Sequence, residues 1–190
     1  FYKFKKLKNL KKIKNILEKK LKIYEISGTI IISTEGINGT IAAKSNNIIK
    51  FNKYFKKLLL IKKFNSENNS NSKFNPFHKP KVKIKKEVVP MGFKVKNYNY
   101  PKNNLNPKEW NKMIKKKDTV LIDARKSFEY HVGSFKKSLN PNIEKFRDFP
   151  KFLKSFKKNE NIAMFCTGGI RCEKANLYLK KKGFKNIYVL

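Results

Sequence analysis

Hydrophobic positions in the first half of the chain follow two periods. Leu7, Leu10, Ile13, Ile16, Leu17 and Leu21 recur every three or four residues with lysines between them, which predicts an amphipathic helix. A short aromatic strand over residues 1–4 precedes it. After it comes the β-branched run 28–33, a Gly-rich stretch over 34–39 and a second short run over 40–43, together predicting a strand, a turn and a strand. Ser45 is a candidate cap for a second helix whose apolar face is Ile48, Ile49, Phe51, Tyr54, Phe55, Leu58 and Leu59. The polar stretch 65–75 carries no period and reads as disordered. Val82 and Ile84 then alternate with lysines in a last strand. The predicted order is βαββαβ, a ferredoxin-like α+β domain over residues 1–92.

Residues 93–105 lack a hydrophobic period, contain Pro101, and read as an interdomain linker. Asn106 and Pro107 open a helix that contains Trp110 and Met113, with Pro in its first turn. A buried strand over 119–123 ends in Asp123-Ala124-Arg125, and a further strand is expected around Ser138 and Leu139. A helix over 149–156, a strand over 162–165, a helix over 173–179 and a strand over 185–190 complete the pattern. Strands alternating with helices predict an α/β domain with a parallel sheet over 106–190, with its site at the carboxyl ends of the strands.

One such end carries candidate chemistry. The strand over 162–165 delivers Cys166, followed by Thr167, Gly168, Gly169, Ile170, Arg171 and Cys172. Paired glycines let the backbone curl with its N–H groups inward, and the helix that follows adds the positive end of its dipole. That environment stabilises an anion and is expected to lower the thiol pKa of Cys166. Loop length narrows the chemistry. A Cys-x5-Arg phosphatase loop wraps a phosphate, whereas here the arginine is the fifth residue after the cysteine, so the pocket is smaller.

Composition changes the picture in two ways. The 47 Lys and Arg against 13 Asp and Glu give a formal charge of +34, which fits a polyanionic partner and equally fits the residue usage of an AT-rich coding sequence. Only Arg125, Arg147 and Arg171 are arginines, kept in a chain that otherwise uses lysine. Two cysteines in the whole chain point to reactivity in a reducing compartment, and the cytoplasm is the expected location. No apolar run is long enough to cross a bilayer, and no membrane partner is expected. A start at Phe1 and a stop at Leu190 suggest a piece of a longer chain. No His/carboxylate metal cluster and no flavin or nicotinamide fingerprint is found, so no cofactor is identified and no metal site is assigned.

The short loop resembles the active-site loop of rhodanese domains, and the wider phrase from Ala163 to Ala175 is similar to one rhodanese subfamily, the tRNA uridine(34) hydroxylases. The resemblance runs through the first domain in Phe-Tyr-Lys-Phe, in Glu35-Gly36-Ile37-Asn38-Gly39, in Pro76-Phe77-His78 and in the run from Lys81 to Val88. In the second it includes Asp123-Ala124-Arg125, the segment 127–133 and Phe146-Arg147-Asp148. It implies oxygen-dependent hydroxylation of the wobble uridine at C5, with Cys166 as active-site thiolate, molecular oxygen as co-substrate and the tRNA anticodon loop as partner. No protein partner is inferable. In rhodanese domains the Asp-x-Arg closes a strand near the active loop, and an ion pair of Asp123 with Arg125 is the expected structural part. Cys172 is a candidate resolving thiol. Lys81, Lys83 and Lys85, on one side of their strand, and Arg147 are candidate RNA contacts, with a solvated strand edge the alternative for the lysines. The Glu35 to Gly39 motif is either a turn needing positive φ or a contact element, and His78 reads as a packing or turn residue. Two other readings stay open: sulfur transfer through a Cys166 persulfide, and a non-catalytic RNA-binding module.

Overall fold

The computed structural model describes residues 1–95, 98 and 103–190. The chain divides into two compact units, Phe1–Val88 and Val89–Leu190.

In the first unit β1 (Tyr2–Phe4), α1 (Leu10–Ile23), β2 (Ser27–Ser33), β3 (Gly36–Ala42), α2 (Ser45–Leu58) and β4 (Pro80–Ile84) follow one another in the βαββαβ order. The sheet order is β1-β3-β2-β4. β3 runs antiparallel to both β1 and β2, and β4 adds parallel to β2 at the edge. Leu17 and Leu21 of α1 and Phe51 and Phe55 of α2 pack with Ile30, Ile32 and Val82 of the sheet in one core. This is the helix-on-sheet layering that the apolar periods call for.

The hairpin differs from the sequence reading in an informative way. The turn is only Thr34 and Glu35, and the glycines beyond it already belong to β3. They serve close approach between strands. A Cβ on Gly36, whose φ is 146°, would stand 2.1 Å from the Lys3 carbonyl oxygen, and one on Gly39 would stand 2.8 Å from that of Thr29. The motif also makes contacts: buried Glu35 accepts the Val88 N–H through Oε1 at 2.9 Å, and Asn38 Nδ2 donates to the Val88 carbonyl at 3.2 Å. Ser45 is the first helical residue and no cap, because Lys44 holds the N-cap position without a side-chain bond. The stretch read as disordered begins with order. Asn65 N–H donates to the Tyr2 carbonyl at 2.9 Å and Tyr2 N–H to that of Ser66 at 3.1 Å, covering the free edge of β1.

In the second unit α3 (Pro107–Met113), β5 (Thr119–Asp123), α4 (Ser127–Val132), α5 (Phe149–Phe152), β6 (Asn161–Phe165), α6 (Ile170–Lys181) and β7 (Ile187–Val189) build a parallel sheet of order β5-β6-β7. Alternation along the central strand β6 sends Ile162 and Met164 into a core with Phe149, Ala175 and Leu179, and Ala163 and Phe165 into one with Trp110 and Met113. Burial on both faces explains why β6 reads as a continuous apolar run. The cap of α3 is a full capping box, Asn106 with Glu109.

The strand expected near Ser138 is a single parallel bridge of Leu139 to Ile122. The helix expected over 149–156 is four residues of α5 between 3-10 turns at Phe146–Asp148 and Leu153–Ser155. Phe146, Phe149 and Phe152 pack ring on ring at three-residue spacing, with centroids 5.1 and 6.0 Å apart, and that spacing eclipses in a 3-10 turn.

Of the linker expected over 93–105, residues 96, 97 and 99–102 lie outside the described residues. At its end, Asn103 accepts the Val189 N–H at 3.0 Å and Leu105 N–H donates to the Val189 carbonyl at 2.8 Å. Val89 and Met91 pack in the core of the second unit, where the fully buried Lys174 of α6 donates to the Val89 carbonyl at 2.9 Å. Among the described residues no helix is long and apolar enough to cross a membrane.

Candidate active site

Cys166 leaves the carboxyl end of β6, and the loop Thr167 to Gly169 turns directly into α6. Gly169, at φ 87°, makes that turn and donates its N–H to Cys166 Sγ at 3.1 Å. The helix starts at Ile170, earlier than the sequence pattern suggests. Arg171 and Cys172 therefore sit in its first turn, where N–H groups lack helical partners and face the sulfur. Gly168 is half-buried within the loop, and Ile170 packs against the core.

These donors act on the cysteine. Its pKa is lowered to about 5, first by a hydrogen bond from the Cys172 thiol, then by the N–H groups of Cys172 and Arg171 and by the Arg171 charge, against the opposing effect of burial. Cys172 is fully buried, and burial together with its bond to Cys166 raises its own pKa well above the ordinary thiol range. The pair therefore divides its roles: Cys166 carries the negative charge and Cys172 keeps the proton that stabilises it.

Arg171 has a partner that sequence reasoning missed. Its Nη1 donates to Glu129 Oε2 at 2.7 Å and its Nη2 to Glu129 Oε1 at 3.0 Å, a bidentate pair across the loop mouth. Thr167 completes a triangle, accepting from Arg171 Nη2 at 3.1 Å and donating to Glu129 Oε1 at 2.9 Å. Glu129 Oε2 also caps α4 by accepting the Lys126 N–H at 3.1 Å. The Arg171 bonds, above all, hold the Glu129 carboxyl at a pKa of about 2. The one signal for it in the sequence was indirect: an arginine retained in a lysine-using chain calls for a planar acceptor, and only 13 acidic residues are available. On the helix that carries Glu129, Phe128 and Val132 are 63% and 87% exposed.

Asp123 and Arg125 form a separate brace. The buried Asp123 accepts from Arg125 Nε at 2.8 Å, from Arg125 Nη2 at 2.6 Å and from Ser134 Oγ at 2.8 Å. Arg125 Nη2 also donates to the Gly133 carbonyl at 2.6 Å, and its guanidinium lies over the Phe165 ring at 5.5 Å. The brace ties the end of β5 to the loop after α4. Lys81, Lys83 and Lys85 are exposed on the edge strand β4 and its continuation, in the first unit, and so is His78; Arg147 is exposed on a 3-10 turn of the second. Among the described residues no group of three His, Cys, Asp or Glu side chains could hold a metal ion.

Comparison with known proteins agrees with this anatomy. Residues 1–88 match the UPF0176 acylphosphatase like domain and residues 106–190 the Rhodanese-like domain. A tRNA uridine(34) hydroxylase of Pelagibacter ubique is 58% identical over 190 residues, all of this chain and 63% of the relative. One from Acinetobacter baumannii is 40% identical over 194 residues, covering 60% of the relative. One from Legionella pneumophila is 39% identical over 194 residues, covering 76% of the relative. The chain thus spans about three fifths of the length of the first two curated relatives and about three quarters of the third. With both domains matched in the same order and such identity along its whole length, the chain belongs to the tRNA uridine(34) hydroxylase family.

Proposed function

We propose that the protein hydroxylates the wobble uridine, position 34, of tRNA at C5, with the Cys166 thiolate as the attacking group. The observation that carries this reading is Cys166 in the loop that opens α6, its sulfur accepting the Gly169 N–H at 3.1 Å and its pKa lowered to about 5, in a chain whose whole length aligns with part of relatives named tRNA uridine(34) hydroxylase. Uracil is an electron-poor enone. Addition of the thiolate to C6 pushes electron density onto C5 and the C4 oxygen, making C5 nucleophilic toward oxygen. The oxygen atom comes from dioxygen, whose second atom leaves as water with two electrons from a thiol reductant. Loss of the C5 proton and of Cys166 from C6 then restores the ring, now as 5-hydroxyuridine. The loop N–H groups stabilise the sulfur in its anionic form at the start and end of the cycle.

The substrate is an anticodon loop, whose unstacked bases can be splayed out and stacked on aromatic side chains. Exposed Phe128 supports that mode beside the site, and Lys81, Lys83, Lys85 and Arg147 supply phosphate contacts. The cytoplasm, where tRNA and reduced thiols coexist, is the proposed location. Incubating undermodified tRNA with the full-length protein, oxygen and a thiol reductant, followed by nucleoside mass analysis, tests the reading. A mass gain of one oxygen on uridine 34 is expected. Unmodified tRNA together with rapid thiocyanate formation from thiosulfate and cyanide would establish sulfur transfer instead.

A further inference from the structure

The cysteine loop collects N–H donors, a helix N-terminus and an arginine, a set that ordinarily attracts anions. The arginine, however, is already taken. Both Nη atoms of Arg171 bond Glu129, at 2.7 and 3.0 Å, and Thr167 bonds both partners. The side chains of the pair are only 17% and 20% exposed, so solvent screens them little. The neighbouring Asp123 and Arg125 neutralise each other at 2.6 Å. Within this cluster the thiolate and Glu129 each carry a negative charge, and Arg171 carries the positive charge that the two share.

We infer that Glu129, by occupying the Arg171 fork, makes this loop selective for uncharged electrophiles over anionic ones. An anionic donor such as thiosulfate finds no free guanidinium and meets uncompensated negative charge. A uracil ring carries none, and the phosphates attached to it can be met by lysines elsewhere. Glu129 is thus a positioning residue that sets substrate charge through Arg171 and touches no substrate itself. The inference deepens the hydroxylase reading, but it rests on the ion pair and can be read without tRNA.

The test is the ratio of alkylation rates of Cys166 by iodoacetamide, which is neutral, and iodoacetate, which is anionic, on the full-length protein at one pH. Both reagents consume the same thiolate, so the ratio cancels any change in the cysteine pKa. Glu129→Gln frees the guanidinium and should lower the iodoacetamide to iodoacetate ratio on the order of tenfold at low salt, from one unit charge a few ångströms away. Arg171→Gln leaves Glu129 uncompensated and should raise it. Both shifts should shrink as salt is added. A loop merely disordered by substitution would move both variants the same way, toward the ratio of an unstructured cysteine peptide. That outcome, or a Glu129→Gln ratio within about twofold of wild type, overturns the inference. The hydroxylation assay fails or succeeds separately: opposite ratio shifts without tRNA modification would sink the hydroxylase reading and leave charge selection standing.

Discussion

Replacing Cys172 with Ala isolates the strongest influence on the nucleophile. The Cys172 thiol is the first cause of the lowered Cys166 pKa, and its removal leaves Gly169, Arg171 and the backbone of residue 172 as donors while burial continues to oppose charge. A hydrogen bond to a charged group contributes about 1.5–3 kcal/mol. At about 1.4 kcal/mol per unit, the Cys166 midpoint should rise by about one to two units. From about 5 it would therefore move close to neutrality. Cys172 is fully buried in the second unit's core, so the small cavity costs roughly 1 kcal/mol of stability and the fold should persist. The assay is the rate of iodoacetamide alkylation against pH, clean in this variant because Cys166 becomes its single cysteine. Cys172→Ser, which keeps a donor, should fall between wild type and Cys172→Ala. A Cys172→Ala midpoint still at about 5 would refute the division of roles between the two thiols.

Asp123→Ala removes the fully buried acceptor of Arg125 and Ser134, and leaves a guanidinium only 18% exposed without its carboxylate. Urea unfolding should show a loss of about 3–5 kcal/mol, and a loss no larger than that of a surface pair would return the brace to decoration. The Glu129 carboxyl, held at about 2 against an ordinary 4.5, contributes stability fully present above about 4.5 and lost as pH falls toward 2. Glu129→Gln should flatten that part of the pH-stability curve, and an unchanged acid limb would contradict it. Replacing Lys81, Lys83 and Lys85 with Glu should weaken tRNA binding across species and reduce its salt dependence by up to about three phosphate contacts. Equal salt slopes for variant and wild type would make these lysines a solvated edge.

Much of this anatomy was written in local pattern, and the misreadings have physical causes. A β-branched run located β2, a continuous apolar run β6 and period-3.6 spacing α1 and α2, while Asn106 and Pro107 marked the start of α3, where the structure adds Glu109 to complete a capping box. The Glu35 to Gly39 motif fits a turn as well as a contact element because glycine permits both a turn and a close backbone approach, and only the register with β1 and β2 decides between them. Nothing in the local pattern marks Lys174 as fully buried, because the Val89 carbonyl that it meets is 85 positions away in the chain. The Cys166 loop was legible because its donors lie within six residues of the sulfur. Glu129 was not, since it meets Arg171 across 42 positions of chain and nothing near either residue announces the other.

The central claim is that a Cys166 thiolate hydroxylates uridine 34, and nucleoside mass analysis of tRNA from a strain lacking the gene tests it most directly. Cys166→Ala removes the sulfur and little else, so this variant should fold and bind tRNA. Returning the full-length wild-type gene should restore 5-hydroxylated wobble uridine, and returning the full-length Cys166→Ala gene at equal protein level should leave the wobble uridine unmodified. Restoration by the Cys166→Ala gene to the wild-type level would contradict the account.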